Sequence, residues 1–305
     1  MKVNRLVCGV LLSVYLTSRG PAAAGERGVA LQHQGVTLPG TVSTPAKARD
    51  DKPWIVLVHG TLAHKDMSTI KQMATALNDK GFSTLAVSLS LGVDSRKGMY
   101  DCQVPHRHRF GDASGEIAAW LAYLRGEGAR NIWLLGHSRG GAQVAYTLAN
   151  EGKMDLRGTI LMAPATDAVA TAAAAYRKQH GAAADKAIEA ARAEGDKSEK
   201  LIAVPGLLSC QGGQASARSI LSYYDEKPPH ETQASLTRVT SLPVLVIAAQ
   251  KDEVVRDVAD KIGKVAAAQP NVKVETVADS DHMFQDLFAD AAADLIADYI
   301  DQQKK

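Results

Sequence analysis

The chain has 305 residues, of which 46% are hydrophobic and 22% are charged. This length and composition allow one large α/β domain, and they exclude a disordered chain or a miniprotein held together by metals or disulfides. With 35 Lys and Arg against 33 Asp and Glu, the net charge of +2 gives no field that attracts nucleic acid. A mean hydropathy of −0.12 excludes a protein with many membrane spans.

Residues 1–24 have the pattern of a secretory signal peptide. Lys2 and Arg5 precede an apolar run over 6–16, and Ala22-Ala23-Ala24 precedes Gly25. The run is shorter than the ~20 residues of a membrane-spanning helix, so we expect cleavage after Ala24 and no stable membrane insertion. Cleavage removes three basic residues and no acidic one, which changes the net charge from +2 to −1. We therefore expect an exported protein, periplasmic or secreted, that comprises residues 25–305.

Short apolar segments rich in β-branched residues alternate with helical stretches along the rest of the chain. This alternation is typical of a mostly parallel sheet that is covered on both faces. The eight predicted strands are 29–36, 41–44, 54–58, 82–88, 131–135, 158–162, 243–248 and 272–277. The first two form an opening pair, with the predicted turn at Leu38-Pro39-Gly40.

Apolar residues at helical spacing predict the helices between these strands. The predicted helices contain residues 67–77, 117–124, 142–150 and 284–295. Two segments interrupt the alternation. Residues 91–111 form a loop that is long for a compact domain, and residues 167–240 form an insertion whose Ala-rich first part has strong helix propensity.

The clearest motif is Gly136-His137-Ser138-Arg139-Gly140, which follows a predicted strand and precedes a predicted helix. A serine on such a tight strand-to-helix turn has a strained backbone, and the flanking glycines avoid collisions across the turn. The motif therefore predicts that Ser138 is a nucleophile with an exposed Oγ. The alternative is a plain glycine-rich turn.

A serine nucleophile needs a histidine as base and a carboxylate that orients this histidine. Of the nine histidines, only His282 follows the last predicted strand, in the loop before the final helix. Asp252 follows the strand 243–248 and is our predicted acid, although an aspartate there could also cap the next helix. The substitute is Asp167, and more distant candidates are Asp279 and Asp281.

These residues resemble the α/β-hydrolase superfamily over essentially the whole mature chain. Ser138, Asp252 and His282 occur in the family's order of nucleophile, acid and base. The segment Val56-Leu57-Val58-His59-Gly60-Thr61 is similar to the family's oxyanion segment. The resemblance implies that the backbone N–H groups of Thr61 and Arg139 bind the oxyanion. It also implies an eight-stranded, mostly parallel sheet with a helical lid, formed by the insertion at about 167–240.

By this resemblance we expect a serine hydrolase that cleaves a carboxylic ester or thioester of a small molecule through an acyl-enzyme, with no metal or organic cofactor. An amidase or peptidase with the same triad, and a non-catalytic binding protein of the same fold, are the alternatives. One departure is Ala249, which stands where the family commonly has Gly three residues before the acid. Serine at position 138 argues against haloalkane dehalogenases and epoxide hydrolases, which use Asp there.

Signal cleavage would remove Cys8 and leave Cys102 and Cys210 in a compartment that permits disulfides. We expect these two cysteines to be bonded. The bond would join the loop 91–111 to the expected lid and, by the chain-entropy estimate, would contribute about 4–5 kcal/mol of stability.

The loop that contains Cys102 is also rich in histidine and arginine, and three interpretations remain open. It is a solvated basic loop, a site for an anionic substrate group at Arg107 or Arg109, or a metal site. The residue types for a metal site are supplied by His106, His108, Asp101 and Cys102.

Overall fold

The computed structural model describes residues 25–46, 52–166, 169–225 and 230–304, with the backbone alone for residues 169 and 170. The expected signal peptide at 1–24 and the substitute acid Asp167 lie outside the described residues. Within those ranges, no helix has the length and apolar composition that crossing a membrane requires.

Strands and helices alternate along most of the chain. The strands are β1 (Gly25–His33), β2 (Val36–Thr44), β3 (Trp54–Val58), β4 (Ser83–Val87), β5 (Ile132–His137), β6 (Gly158–Met162), β7 (Leu201–Ala203), β8 (Gly206–Leu207), β9 (Cys210–Gln211), β10 (Gln214–Ser216), β11 (Val244–Ala249) and β12 (Val272–Val277). The helices are α1 (Ser68–Asp79), α2 (Asp112–Gly126), α3 (Arg139–Glu151), α4 (Val169–His180), α5 (Ala182–Glu194), α6 (Ala217–Tyr224), α7 (Thr232–Leu236), α8 (Val258–Ala268) and α9 (Leu287–Gln302).

The main sheet has eight strands in the order β1-β2-β4-β3-β5-β6-β11-β12. The six strands β4, β3, β5, β6, β11 and β12 are parallel to one another, whereas β2 runs antiparallel to both β1 and β4. The predicted eight-stranded, mostly parallel sheet is therefore confirmed. Parallel strands point their carboxyl ends to one edge, so the segments that follow β3, β5, β11 and β12 meet there.

The turn between the first two strands is at Gln34-Gly35, and the predicted turn at Leu38-Pro39-Gly40 is wrong. Both turn residues have positive φ, +47° and +84°, which is the conformation that a two-residue hairpin turn requires. Pro39 and Gly40 instead lie inside β2, opposite Ala30 and Val29 of β1. A Pro-Gly pair favours a turn locally, but here the pairing on both sides of β2 determines its conformation.

The sheet is covered on both faces, and the side chains of each central strand alternate between two cores. Val56 and Val58 of β3 pack in the core under α2, α3 and α8. Ile55 and Leu57 pack in the opposite core under α1 and α9. Because both faces are buried, the sequences of the central strands are continuous apolar runs.

The last helix begins at Leu287, three residues later than the expected start at Phe284. Phe284 is fully buried, but its φ is +48°, and Asp286 has a φ of +53°. Neither residue is in the α-helical region, because the chain turns twice before it enters α9. The apolar periodicity therefore includes one core residue that lies outside the helix.

The segment between β6 and β11 contains α4 to α7 and two small two-stranded sheets, which pair β7 with β10 and β8 with β9. The helices were expected, whereas the four short strands were not. The segment has its own apolar core, in which Ile188, Leu207 and Ile220 are buried together with Phe110 and Ala142 from the rest of the chain. The insertion is thus packed onto the domain through shared side chains.

Six histidines are buried in the described part of the chain, and five of them lie outside the predicted triad. Burial lowers the pKa of each of these five below 6.5, to about 3 or about 4, since the charged imidazolium is poorly solvated there. The pKa is about 3 for His59 and His108 and about 4 for His106, His137 and His230.

We expect Gly158→Ala to lower the free energy of unfolding by about 1–3 kcal/mol, because the new methyl group overfills the core. A Cβ at this position of β6 would lie 2.2 Å from the ring of Trp133, which is itself buried. The matched control is Gly263→Ala in α8, where a Cβ meets no atom within 4 Å. This control should gain roughly 0.5–1 kcal/mol. Urea unfolding of both variants measures the difference, and equal stabilities would contradict this packing.

We also expect the free energy of unfolding to fall as the pH is lowered from 6.5 to about 4. In this window the unfolded chain binds protons on histidines that stay neutral in the folded protein, so protonation favours unfolding. The variant His230→Gln removes one such site, whose folded pKa is about 4. Its slope of stability against pH should be smaller by up to about 1.4 kcal/mol per pH unit. Urea unfolding at pH 7.5, 6.0 and 5.0 measures both slopes, and identical slopes would contradict this assignment.

Candidate active site

The turn between β5 and α3 holds Ser138 in a strained conformation, with φ 55° and ψ −124°. A Cβ on Gly136 would lie 2.5 Å from the carbonyl oxygen of Gly140, and a Cβ on Gly140 would lie 2.3 Å from the carbonyl oxygen of His59. Both contacts are with backbone atoms, which cannot move aside as a side chain can. The two glycines are therefore required for α3 to start immediately after β5 and to approach the end of β3.

Ser138, His282 and Asp252 form a continuous chain of hydrogen bonds. The Ser138 hydroxyl lies 2.9 Å from His282 Nε2, and His282 Nδ1 lies 2.7 Å from Asp252 Oδ2. The carboxylate accepts from Nδ1–H, which leaves Nε2 free to accept the serine proton. All three side chains are at most 9% exposed. The structure thus brings the predicted nucleophile, base and acid together.

The second oxygen of Asp252 fixes the carboxylate. Asp252 Oδ1 accepts the backbone N–H groups of Val254 and Val255, each at 2.7 Å. The alternative role as a helix cap is not the one observed, because α8 begins at Val258 and its N-terminal capping position is Asp257. Asp252 therefore stabilises its own turn while it holds the imidazole.

The other described aspartates near His282 do not contact its ring nitrogens. Asp279 is exposed and forms an ion pair with Lys251 at 2.8 Å. Asp281 Oδ1 accepts the backbone N–H of Met283 at 2.9 Å. Both carboxylates therefore form contacts within or beside the loop that contains His282, and neither contacts its imidazole.

The predicted oxyanion residues Thr61 and Arg139 lie side by side next to the serine. Arg139 Nε donates to Thr61 Oγ1 at 3.0 Å, and a Cβ on Gly60 would lie 3.2 Å from Ser138 Cβ. Arg139 is the first residue of α3, where backbone N–H groups have no partner within the helix.

Two buried side chains that the sequence did not single out hold the segment after β3. His59 Nδ1–H donates to Gly60 O at 2.9 Å, and His59 Nε2 accepts the backbone N–H of Leu89 at 3.0 Å. Arg96 donates to the carbonyl oxygens of Ala63 and Leu89, at 2.6 and 2.7 Å. His59 belonged to the recognised segment, but nothing in the sequence indicated Arg96, since it lies in an irregular loop.

His137 fixes the loop of the candidate base. Its Nε2–H donates to the backbone carbonyl of His282 at 2.9 Å, and the two rings are 5.0 Å apart. Burial and the neighbouring His282 lower the pKa of His137 to about 4, so the donor is a neutral imidazole at neutral pH. The motif identified His137 only as the variable residue before the nucleophile.

The loop 91–111 is not solvated at its histidines, so that interpretation is wrong for His106 and His108, which are 0% and 1% exposed. His106 Nδ1 lies 3.1 Å from His108 Nε2, and His108 Nδ1 lies 2.8 Å from the hydroxyl of Tyr223 in α6. The insertion covers this loop at the two histidines, whereas the sequence indicated contact between loop and insertion only through the expected bond of Cys102 and Cys210. Two of the arginines of the loop are half-exposed and ion-paired, Arg107 with Glu199 and Arg109 with Asp112.

Cys102 is bonded to Cys210, so the loop is covalently joined to the insertion 108 residues later. This places one of the four proposed metal ligands in a disulfide. Across the part of the chain that the structure describes, no group of three or more His, Cys, Asp or Glu side chains is arranged to hold a metal.

Comparison with known proteins identifies relatives of this fold. A sequence profile described as the alpha/beta hydrolase family matches residues 55–298. No protein of curated function matches the sequence. Est1E from Butyrivibrio proteoclasticus, solved with ferulic acid bound, has 16% identity and a TM-score of 0.63, and the match covers 90% of this chain and 98% of that chain.

Two further solved structures are similar over almost their whole length. The Pyrococcus furiosus esterase PF2001 has 13% identity and a TM-score of 0.59, with 92% of this chain and 91% of that chain covered. The alpha/beta hydrolase GrgF from Penicillium sp. sh18 has 14% identity and a TM-score of 0.62, with 91% and 98% covered. The family profile extends over most of the chain, and the protein belongs to the alpha/beta hydrolase family.

Proposed function

We propose that this hydrolase cleaves a carboxylic ester or thioester with Ser138 as nucleophile, His282 as base and Asp252 as the orienting acid. The observation that carries the proposal is the hydrogen-bond chain from Ser138 Oγ through the imidazole to Asp252. Ser138 lies on a turn whose strained φ is typical of a serine nucleophile in this fold. Geometry of this kind activates a hydroxyl that is a weak nucleophile alone.

The hydrogen bonds of His282 set the order of the proton transfers in the proposed reaction. Ser138 Oγ attacks the acyl carbon while its proton moves to His282 Nε2, and Asp252 stabilises the imidazolium that forms. The proton then passes from Nε2 to the leaving alcohol or thiol, which departs and leaves the acyl group on Ser138. A water gives its proton to Nε2 and attacks the acyl carbon, and Ser138 leaves with that proton as the acid is released.

The negative charge of each tetrahedral intermediate develops next to Thr61 and Arg139. We assign their backbone N–H groups to the oxyanion hole, because both residues adjoin Ser138 and Arg139 begins α3. Donors that are already in place require no reorganisation during the reaction. The bonds from His59 and Arg96 to this segment support the same arrangement.

Two similar structures are an esterase from Pyrococcus furiosus and Est1E with ferulic acid bound. At 13–16% identity, these likenesses establish the fold alone. The substrate class of this chain therefore rests on the chemistry of its own site.

The insertion between β6 and β11 is proposed as a lid that shapes the substrate site. Tyr223 of α6 lies against the guanidinium of Arg139, at 5.7 Å from ring centroid to Cζ. The disulfide between Cys102 and Cys210 and the bond from Tyr223 to His108 attach the insertion to the loop 91–111. The side chains of the insertion therefore reach the residue that follows the nucleophile.

We further propose that the protein is exported and acts in the periplasm or outside the cell. The signal pattern at 1–24 supports export. The disulfide supports it independently, since such bonds persist in oxidising compartments and are rare in the cytosol.

Ser138→Ala is expected to lower kcat/KM for a 4-nitrophenyl ester by about 10⁴-fold or more, since it removes the nucleophile. The matched control is Ser68→Ala on the exposed surface of α1, which should retain wild-type activity. The anilide of the same acyl group should react far more slowly than the ester. Ester hydrolysis that survives in Ser138→Ala would contradict the proposed nucleophile, and a preference for the anilide would indicate an amidase.

Expression of the full chain in a bacterium with a periplasm tests export. We expect the protein in the periplasmic fraction with Gly25 as its first residue. Its peptides containing Cys102 and Cys210 should be linked when no reductant is added. Cytoplasmic protein that begins at Met1 and has two free thiols would contradict the proposal.

A further inference from the structure

The guanidinium of Arg139 has neutral partners only. Its Nε donates to Thr61 Oγ1 at 3.0 Å, and its Cζ lies 5.7 Å from the centroid of the Tyr223 ring. In the described parts of the chain, no carboxylate pairs with this arginine and no acceptor is bonded to its Nη nitrogens. Arginine carries five N–H groups in a planar fork that matches a carboxylate, so most of its donors remain available.

Three other arginines of the surrounding loop and insertion are neutralised by ion pairs. Arg109 pairs with Asp112, Arg192 with Asp225, and Arg218 with Glu199, at distances of 2.8, 3.3 and 2.5 Å. Arg139 differs from these three because its charge is uncompensated at the position directly after the nucleophile.

The surroundings of Arg139 increase the effect of its charge. Two histidines that the charge of Arg139 reaches are uncharged at neutral pH, since burial above all keeps the pKa of His108 at about 3 and that of His230 at about 4. Tyr223 is 5% exposed, and its hydroxyl is fixed by His108. A cation among buried neutral groups attracts an anion more strongly than one at the open surface.

We propose that Arg139 determines substrate specificity by binding a carboxylate that the ester carries close to its scissile bond. The inference rests on the proposed function and adds a substrate class to it, namely esters with an anionic group on the acyl or the alcohol side. The Nη groups bind this carboxylate, while the backbone N–H of the same residue faces the developing oxyanion. One residue then aligns the substrate and stabilises its transition state.

Two pairs of esters of nearly equal shape test this proposal. On the acyl side, mono-4-nitrophenyl glutarate is compared with 4-nitrophenyl valerate. On the alcohol side, 3-acetoxybenzoate is compared with 3-acetoxybenzamide. The variants are Arg139→Gln and Arg139→Lys, with Arg125→Gln as the control, because Arg125 is also half-buried but lies away from the site in an ion pair with Asp155.

The measured quantity is the ratio of kcat/KM for the anionic ester to kcat/KM for its neutral partner. In at least one pair, the wild-type ratio should exceed one, and Arg139→Gln should lower it by about 10- to 100-fold, since a hydrogen bond to a charged group is lost. Arg139→Lys should restore part of the ratio because it restores the charge, and Arg125→Gln should leave the ratio unchanged.

A ratio that Arg139→Gln leaves unchanged in both pairs would overturn the proposal, and equal losses on anionic and neutral esters would assign the guanidinium to general oxyanion stabilisation. Failure of the proposed function gives a different result, in which the wild-type protein hydrolyses none of the four esters. Circular dichroism of each variant shows whether it is folded. If Arg139→Gln is not folded, the kcat/KM ratio measured for Arg139→Lys tests the proposal.

Discussion

The candidate site depends on one close approach of backbones, where β5 turns into α3 against the end of β3. Cβ atoms on Gly136 and Gly140 would lie 2.5 and 2.3 Å from backbone oxygens, so only glycine allows this approach. The cost is the positive φ of Ser138, and the result is a hydroxyl held at the carboxyl edge of the sheet. Because β11 and β12 end at the same edge, the segments that follow them bring Asp252 and His282 to that hydroxyl.

Buried neutral imidazoles fix the parts of the backbone around this turn. His59 bonds the segment after β3, His137 bonds the carbonyl of His282, and His108 bonds Tyr223 of the insertion. Each is held neutral by burial, so its hydrogen bonds do not change over the ordinary range of pH. Through Tyr223 and the disulfide, the insertion is attached to the same structure and reaches Arg139. The order of the candidate site thus rests on groups that take no part in the proposed chemistry.

The sequence was sufficient where local pattern determines structure. Continuous apolar runs indicated the central strands, and the spacing of two glycines around Ser138 indicated the turn. The chain order of Ser138, Asp252 and His282 was informative because parallel strands deliver their ends to one edge. The sequence was insufficient where contacts between distant segments determine the local structure. The hairpin at Gln34-Gly35, the late start of α9 and the burial of the histidines in the loop 91–111 all depend on segments far away in the chain.

The central claim is that Ser138 is an activated nucleophile, and covalent labelling tests it without knowledge of the substrate. The folded, oxidised protein is treated with a fluorophosphonate, digested and mapped by tandem mass spectrometry. The expected result is a single phosphonyl adduct on Ser138, formed by the native protein and absent when the protein is unfolded before treatment. A native protein without an adduct, or with its adduct on another serine, would contradict the account.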